Sequence, residues 1–489
     1  MDRLFEQFYL SSEGCEINMT IFFAKHNYIY KLVHILILFT LLIFTYSFWS
    51  DYKIQVDWEK FVSLFSISLL LFQLISMKIK KISFKEFPFW FTILSHLFMF
   101  GRVYLNFLNL DEQIFWNLIT RYTDENLFRA GLVILCLLQS IFMGLTFNYQ
   151  NTIVTKPILN HPIKAVFYTG IILLIISMPF RLYMDLLYVM QSQTTGEYLS
   201  LINFSGLQDD IAFLFVPSLI FIIASKILSK RQSLILLIIA VSYFFVFMIL
   251  TGDRRYPSTG ILVLVLSYFY AYNIKIKPMR FLIYTAFAFI SLNLLSIIRD
   301  IRLVQLTSLS DFFVLYGKDI FLGKSTIYET LAEFGISFFS VVIAIKYVPS
   351  VVPFQNGLSF ISSIPSALPI GSIFPNIFKN SSMSDTINLL ENTPVGATLI
   401  GDLYMNFGII SFVFAFIAGV LLSRIFLIKS DKNYRYSIAK YYSIFYILIN
   451  VVRASFFEVF RPSLIVYFFP LVLMWLITNY RYSSGKRGW

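Results

Sequence analysis

The chain has 489 residues, of which 58% are hydrophobic and only 13% are charged, and its formal net charge is +12. Apolar runs of nearly 20 residues recur from one end to the other, which predicts an all-α, polytopic integral membrane protein and excludes a soluble globular fold. The positive residues are spread over short connections rather than gathered in one basic region, so they indicate membrane topology and exclude nucleic-acid binding.

In chain order, the apolar runs are separated by polar or Lys/Arg-rich connections. A helix needs about 20 mainly apolar residues to cross the hydrocarbon core of a membrane. On this basis the sequence predicts about twelve transmembrane helices. They lie near residues 29–49, 61–77, 88–106, 127–146, 165–181, 210–227, 233–250, 258–273, 281–298, 405–427, 437–453 and 462–479.

The lysine-rich connections all fall on one side of the membrane when these helices alternate in direction. The positive-inside rule places that side, and with it both termini, in the cytoplasm. Segment 299–404 then forms one long extracytoplasmic loop, within a single membrane domain that covers residues 1–489. We expect chemistry in this loop, because long loops on a rigid scaffold are usually functional.

Segment 327–348 inside this loop needs a separate interpretation. Its unbroken apolar part, residues 334–345, has 12 residues, a length typical of interfacial or re-entrant helices. A spanning helix here would also move the lysine-rich residues 429–440 to the outside, against the charge rule. We therefore predict a short interfacial or re-entrant helix on the outer face.

Arginines near the outer helix ends are the first candidate site residues. Outward positive charges run against the topology rule, so they indicate another role. A guanidinium group makes paired hydrogen bonds to phosphate and is weakly hydrated, which suits a lipid-linked diphosphate at a membrane interface. The candidate diphosphate-binding residues are Arg102, Arg254, Arg255, Arg299, Arg302, Arg453 and Arg461.

Local ion pairing is the alternative interpretation of these arginines. Arg254 directly follows Asp253, and Arg461 lies one helical turn after Glu458. Arg102 is a separate case because it lies within a predicted transmembrane helix. An unpaired charge there would cost about 3 kcal/mol or more, so we expect Arg102 to face a partner or a water-filled cavity.

Two carboxylates are candidate general bases. Glu333 precedes the apolar stretch of the outer loop, where partial exclusion from water would strengthen its carboxylate as a base. Glu329 shares the same helix face, but its spacing from Thr326 is that of a capping box, which indicates a structural role. Asp402 lies where the loop re-enters the membrane, and its alternative role is that of an acid at a helix N-terminus.

Sugar contacts are predicted from side chains near these carboxylates. Tyrosine rings offer flat apolar faces with a polar edge, and an amide offers both a donor and an acceptor. The candidate sugar-binding residues are Tyr328, Tyr404 and Asn406.

Histidine and cysteine are too scarce to predict a metal site. The chain has 2 cysteines, and its 4 histidines, at positions 26, 34, 96 and 161, lie outside the long outer loop. We therefore expect neither a metal nor another cofactor, and no histidine base on the outer face.

Three motifs in the second half of the chain resemble the O-antigen polymerase family of the Wzy type. The first is Thr251-Gly252-Asp253-Arg254-Arg255 at a helix end, and the second is Glu333-Phe334-Gly335-Ile336-Ser337 at the start of an apolar helix. The third is Pro394-Val395-Gly396 followed by Gly401-Asp402-Leu403-Tyr404-Met405-Asn406-Phe407-Gly408. The family tends to have glutamate where Asp402 stands, and the first half of the chain is similar to it in hydropathy alone.

The resemblance implies a membrane glycosyltransferase with a GT-C-like architecture in the bacterial cytoplasmic membrane. Such an enzyme would transfer a growing glycan from undecaprenyl diphosphate to the end sugar of a new lipid-linked repeat unit, on the outer face and without a metal. The product would be O-antigen or capsular polysaccharide. The expected partners are the lipid-linked oligosaccharide, membrane lipids, a chain-length regulator and a flippase.

Two other functions compete with this interpretation. A flippase or exporter of the lipid-linked glycan would also need many transmembrane helices, but we would expect its site near the bilayer midplane, between internal repeats. An O-antigen ligase, which resembles the polymerases, is expected to carry a functional histidine in its long outer loop. The outer loop predicted here contains no histidine.

Overall fold

The structure is a computed structural model of the chain, and it describes residues 30–49, 57–108, 119–147, 164–195, 207–251, 253, 255–274, 331–367, 383–391, 395–426 and 434–485. These residues form helices joined by turns and short 3-10 segments, and no strand occurs among them. The predicted all-α class is confirmed.

The helices in the first half of the chain are α1 (Tyr30–Trp49), α2 (Trp58–Ile79), α3 (Phe87–Phe107), α4 (Asp124–Phe147), α5 (Lys164–Thr195), α6 (Leu207–Ala212), α7 (Phe215–Ser225), α8 (Lys230–Thr251) and α9 (Arg255–Ala271). The helices in the second half are α10 (Ser337–Tyr347), α11 (Leu358–Ser366), α12 (Met383–Glu391), α13 (Leu399–Phe407), α14 (Ser411–Ile425), α15 (Tyr434–Leu448) and α16 (Phe456–Gly485). Residues 331–335 are also helical and lead into α10.

Eight segments of the described chain are long and apolar enough to cross a membrane, which supports a polytopic membrane protein. They are Tyr30–Trp49, Trp58–Ile79, Asp124–Phe147, Lys164–Gln191, Leu207–Ser225, Lys230–Met248, Leu399–Ile425 and Phe456–Asn479, and each coincides with a predicted transmembrane helix. Three further predictions correspond to α3, α9 and α15, which are helices outside this set. The predicted helix at 281–298 lies outside the described residues.

The segment that the sequence assigns to the long outer loop contains a short, deeply buried helix. Helix α10 has 11 residues and is therefore about 16 Å long, roughly half of the hydrocarbon thickness. All its residues from Ser337 to Ile345 are buried, and it packs against α3, α4 and α13. Helix α10 alone is too short to span the membrane, and residues 331–335 extend the helical stretch at its start.

The segment Leu399–Ile425 is broken near its middle. Gly408 ends α13 with a backbone φ of 57°, a conformation that glycine adopts without steric cost. A 3-10 turn, Gly408–Ile410, then leads into α14. The segment begins ahead of the predicted start near 405, so Asp402 lies within it rather than in the loop.

Helices α4 and α14 cross at glycines. A Cβ atom at Gly419 would lie 2.3 Å from the carbonyl oxygen of Ile141, and one at Gly144 would lie 2.2 Å from that of Phe416. The two backbones can approach this closely only because neither position has a side chain, which is a common device for packing helices in membranes. This contact fixes α14, and through the Gly408 turn it fixes α13 and Asp402.

Candidate functional site

The candidate site is built around the start of α16, directly after the 3-10 turn Ile449–Val452. The hydroxyl of Ser455 accepts a hydrogen bond from the N–H of Glu458 at 3.2 Å. The carboxylate of Asp402 accepts one from the N–H of Phe456 at 2.6 Å. Two side chains therefore satisfy donors of the first turn of α16, and Asp402 joins α13 to it.

Glu333 and Arg453 meet beside this helix start. The Nη1 atom of Arg453 lies 3.6 Å from Oε1 of Glu333, and the two side chains are 32% and 30% exposed. This separation is longer than a hydrogen bond, which reaches about 3.2 Å, and partly exposed pairs of this kind contribute about 1 kcal/mol or less. The pair can therefore rearrange around a ligand at little cost.

Arg255 and Glu458 form a second loose pair. The Nη2 atom of Arg255 lies 3.7 Å from Oε2 of Glu458, and the side chains are 27% and 33% exposed. The hydroxyl of Ser384 donates to the other oxygen of Glu458 at 2.5 Å. These contacts bring together the starts of α9, α12 and α16.

Arg461 forms the tightest ion pair of the site. Its Nε atom donates to Oδ2 of Asp210, on α6, at 2.9 Å. The alternative interpretation from the sequence, an ion pair between Arg461 and Glu458, is wrong. The carboxylate of Glu458 lies instead beside Arg255. Asp210 is the better partner for Arg461 because it is 7% exposed and would be costly to leave buried without a cation.

Asp253 lies within electrostatic reach of three arginines. Its Oδ1 atom accepts a hydrogen bond from the N–H of Arg255 at 3.0 Å. Burial raises the pKa of Asp253 above its ordinary value, and the positive charges of Arg255, Arg181 and Arg453 offset part of this effect. Guanidinium groups from α9, from α5 and from the start of α16 are therefore within electrostatic reach of one carboxylate. We call Arg181, Arg255 and Arg453 the arginine cluster.

Sequence reasoning did not select Arg181 as a site residue. Its Nε atom donates to Oδ2 of Asp185 at 2.8 Å, and the hydroxyl of Tyr243 donates to the same oxygen. The rings of Phe244 and Phe247 lie 5.8 and 5.4 Å from its guanidinium carbon. Arg181 and Asp185 are four residues apart in the sequence, and nothing in the sequence placed this pair near Arg255.

Arg102 lies in the interior of the protein, 1% exposed, on α3. The 331–335 helix packs against this part of α3 so tightly that a Cβ atom at Gly101 would lie 2.5 Å from the carbonyl oxygen of Leu331. Arg102 therefore does not face lipid, and the partner or water-filled cavity expected for its charge stays a prediction. Its backbone forms part of the surface on which Glu333 is held.

Tyr404 and Asn406 are buried in the described structure. Tyr404 is 1% exposed, and its ring contacts those of Trp49 and Phe354 at centroid distances of 6.2 and 6.4 Å. The amide nitrogen of Asn406 donates to the carbonyl of Asp402 and to the hydroxyl of Ser359, both at 2.7 Å. In this structure the two side chains pack the region around Asp402 and present no surface to a sugar.

The remaining predicted site residues are outside the described part of the chain, namely Arg254, Arg299, Arg302 and Tyr328. Within the described residues, no three His, Cys, Asp or Glu side chains converge as ligands for a metal ion.

Comparison with known proteins identifies the family. A protein-family model described as O-antigen polysaccharide polymerase Wzy matches residues 30–484. A search of curated proteins and a search of solved structures returned no significant match. Because the family match covers nearly the whole chain, the protein belongs to the O-antigen polysaccharide polymerase Wzy family.

Proposed function

We propose that this protein transfers a glycan from undecaprenyl diphosphate to the terminal sugar of a new lipid-linked repeat unit, and so lengthens O-antigen or capsular polysaccharide. Membership of the Wzy family supports a polymerase that acts on lipid-linked repeat units in the inner membrane. The observation that carries the proposal is that Arg255 and Arg453, from separate segments, lie beside Glu458 and Glu333 around the start of α16 and are partly exposed.

The active end faces outward in this proposal, and both termini are cytoplasmic. Helix α8 leads from the lysine-rich connection at 226–231 to Arg255, so the arginine cluster and that connection lie at opposite ends of a 22-residue helix. Lysine-rich connections are retained in the cytoplasm. The arginine cluster is then on the side where the repeat units are joined.

Arg255 and Arg453 hold the diphosphate of the donor. Each guanidinium group has five N–H donors, and each is paired to its carboxylate at more than 3.5 Å with about a third of its side chain exposed. A diphosphate could therefore bind both groups with short charge-assisted hydrogen bonds. Arg254, Arg299 and Arg302 remain candidates for further contacts on the basis of their positions in the sequence.

Glu333 acts as the general base, because it is the partly exposed carboxylate beside Arg453. It takes the proton from the acceptor hydroxyl, and the oxygen forms a bond to the anomeric carbon of the donor. The bond from that carbon to the diphosphate breaks, and the arginines stabilise the negative charge on the leaving group. No metal takes part in this scheme.

Asp402 positions the site instead of acting on the substrate. Its carboxylate is 2% exposed and accepts the N–H of Phe456. That contact orients the first turn of α16, which carries Glu458 and follows Arg453. The shorter aspartate side chain, where the family tends to have glutamate, fits this structural role.

A flippase or exporter is the alternative function. Substrate sites of such transporters lie near the bilayer midplane and often between repeats of opposite orientation. Arg181 lies within α5, but the two partly exposed arginines, Arg255 and Arg453, lie at helix ends, which favours an enzyme. A chain-length regulator and a flippase would then be separate partners of this protein.

The test is polymer formation by the purified full-length protein, with its lipid-diphosphate repeat unit and EDTA present. The wild-type protein is compared with Arg453→Gln, Glu333→Gln and a control, Arg424→Gln, which changes an exposed arginine in the last turn of α14. We expect a ladder of products from the wild type and from the control. The two site variants should yield none while eluting as folded protein.

Two outcomes would overturn the proposal. Normal ladders from both site variants would separate the reaction from the arginine cluster. No ladder from the wild type, with movement of the lipid-linked unit across vesicle membranes, would identify a flippase.

A further inference from the structure

A second group of cations lies at the opposite end of the bundle from the arginine cluster. Helix α8 has 22 residues, so its ends are about 33 Å apart. Its C-terminal end leads to Arg255, whereas Lys226 precedes its N-terminal end. Helix α15 has the same arrangement, because Arg435 lies in its first turn and the helix leads towards Arg453. Arg435 and Lys226 are therefore far from the proposed reaction.

Arg435 is buried in an unusual way for a cationic side chain. It is 4% exposed, and its Nε atom is shielded from solvent without a hydrogen-bond partner. No carboxylate of the described residues forms an ion pair with it. The ring of Tyr434 lies 5.7 Å from its guanidinium carbon, but an aromatic face offsets only about 1–2 kcal/mol of the cost of burying a cation. The described residues therefore supply no anion for Arg435.

Lys226 provides a second positive charge at the same place. It ends α7 in the left-handed conformation, with φ of 57°, and its Nζ atom lies 5.7 Å from the ring centroid of Tyr272. The hydroxyl of Tyr272 donates to the carbonyl of Leu228 at 2.9 Å and contacts the hydroxyl of Ser233 at 2.7 Å, which fixes the ring. The position of Lys226 is thereby restrained.

The two cations are close enough to repel each other. Burial lowers the pKa of Lys226, and the charge of Arg435 lowers it further. The two segments also pack together directly, since the ring of Tyr436 contacts that of Phe221 on α7 at a centroid distance of 6.0 Å. Two like charges within electrostatic reach of each other would both be stabilised by an anion bound close to them.

We infer that Arg435 and Lys226 form a binding site for a phosphate group at this end of the bundle. A guanidinium fork and an ammonium group are the side chains that bind phosphate oxygens best. Lys226 lies just before α8, a helix about as long as the membrane is thick, which places the site at the depth of lipid headgroups. Cations in such pockets bind anionic headgroups. The phosphate comes from an anionic phospholipid or, alternatively, from free phosphate in solution.

The test is ligand binding by the purified full-length protein, stripped of lipid in a neutral detergent and measured by native mass spectrometry. The probes are phosphatidylglycerol, diacylglycerol with the same acyl chains, and inorganic phosphate. We expect Arg435→Gln to weaken phosphatidylglycerol binding about tenfold and Lys226→Gln about fivefold. Arg424→Gln, which changes an exposed arginine at the end of α14, should leave it unchanged.

The probes distinguish the sources of the phosphate. If phosphatidylglycerol binds and inorganic phosphate does not, the site recognises a lipid headgroup. If inorganic phosphate also binds, and Arg435→Gln weakens its binding as much as that of phosphatidylglycerol, the site takes free phosphate. Wild-type affinity in Arg435→Gln, or equal binding of diacylglycerol, would overturn the inference. If Arg435→Gln fails to fold, Lys226→Gln decides in the same way. Because the measurement is binding, its result is independent of the proposed polymerase activity.

Discussion

Gly335 lies directly against the backbone of Arg102, where the 331–335 helix crosses α3. A Cβ atom at Gly335 would lie 2.1 Å from the backbone nitrogen of Arg102 and 2.6 Å from its Cβ atom. Both distances are far below van der Waals contact, so only glycine fits at this crossing. Glu333 lies two residues earlier on the same helix, and the crossing therefore determines where its carboxylate meets Arg453.

The first prediction follows from this contact. Gly335→Ala should displace the 331–335 helix and abolish most polymerisation, although every charged group of the site remains. The matched control is Gly260→Ala in α9, where a Cβ atom would meet Val216 at 3.4 Å, an ordinary contact. The measurement is the polymer ladder, beside the elution profile of each purified variant. Full activity of Gly335→Ala would show that the position of Glu333 does not matter.

The second prediction separates the roles of Asp402 and Glu333. Asp402→Asn keeps an oxygen that can accept the N–H of Phe456, whereas Asp402→Ala leaves this donor without its partner, at a cost of about 1–3 kcal/mol. We therefore expect Asp402→Asn to keep most of its activity and Asp402→Ala to unfold at a lower temperature. Glu333→Gln should be inactive with an unchanged unfolding temperature.

The opposite results for the Asp402 and Glu333 variants would assign the role of general base to Asp402. An Asp402→Asn variant that unfolds like the wild type but forms no polymer would identify Asp402 as the base. Activity of Glu333→Gln would support the same conclusion. Apparent unfolding temperatures of the full-length protein in detergent suffice for this comparison, provided that all variants are heated at the same rate.

The third prediction concerns the pair of Arg461 and Asp210, whose atoms Nε and Oδ2 are 2.9 Å apart. Removing either charge leaves the other partly buried without its counter-charge. Asp210→Asn and Arg461→Gln should therefore each lower the free energy of unfolding by about 1–3 kcal/mol. The exchanged variant, Asp210→Arg with Arg461→Asp, should recover part of this loss in the same unfolding experiment. If Asp210→Asn has no effect while Arg461→Gln loses activity, Arg461 contacts the substrate instead.

The sequence alone predicted the helices and several site residues, but not the partners of those residues. Apolar runs predicted the described membrane-crossing segments, because the requirement for about 20 apolar residues is local. The sequence also selected Glu333, Arg255 and Arg453 through their positions near helix ends. Partners were not predictable in the same way, because Arg461 pairs with Asp210, which is 251 positions away. Spacing rules for residues on one helix cannot predict a partner that lies on a different helix.

Burial of polar side chains was the other feature that the sequence did not reveal. Asn406 was selected for sugar binding from its place in a motif, but its side chain accepts the N–H of Gly357 at 2.9 Å and donates to Ser359. Both the oxygen and the nitrogen of this buried amide are hydrogen-bonded, and they hold the turn that leads into α11. Whether a motif residue faces a ligand or a neighbouring turn depends on tertiary packing, which the motif itself does not record.

The fourth prediction is a dependence of stability on pH that is due to Glu86. This residue precedes α3, is 3% exposed, and burial raises its pKa from 4.5 to about 7. Between these values the folded protein holds a proton that the unfolded chain has released. Stability is therefore greatest below the lower value, falls as the pH rises towards 7, and then remains level, with a total loss of about 3 kcal/mol.

The measurement is the apparent unfolding temperature between pH 5 and pH 8. Glu86→Gln cannot release the proton, so its curve should lack this fall. Glu59→Gln, in the first turn of α2, serves as the control and should keep the wild-type slope. An identical slope in the wild type and in Glu86→Gln would assign the pH dependence to other groups.

The fifth prediction concerns a chain of hydrogen bonds that connects the first four helices. The Nε2 atom of His96 contacts the amide oxygen of Gln73 at 3.0 Å, the amide nitrogen of Gln73 donates to Gln139 at 3.1 Å, and that of Gln139 contacts Nδ1 of His34 at 2.9 Å. All four side chains are at most 2% exposed. With the amides in this orientation, His96 donates through Nε2 and His34 accepts at Nδ1, so the chain requires a neutral His34.

Removing one link should disturb the others, because each glutamine is both a donor and an acceptor. Gln73→Leu removes the partner of Nε2 of His96 and of the amide oxygen of Gln139, whose amide nitrogen keeps its contact with His34. A second change, Gln139→Leu, should therefore cost less in its presence than in the wild type. We expect a coupling free energy of about 1 kcal/mol, in line with side-chain hydrogen bonds in membrane helices. A double-mutant cycle by denaturant unfolding in mixed micelles measures it. Gln139→Leu with Thr478→Ala, an exposed residue of α16, should be additive, whereas additivity of the two glutamine changes would mean that their hydrogen bond contributes nothing to stability.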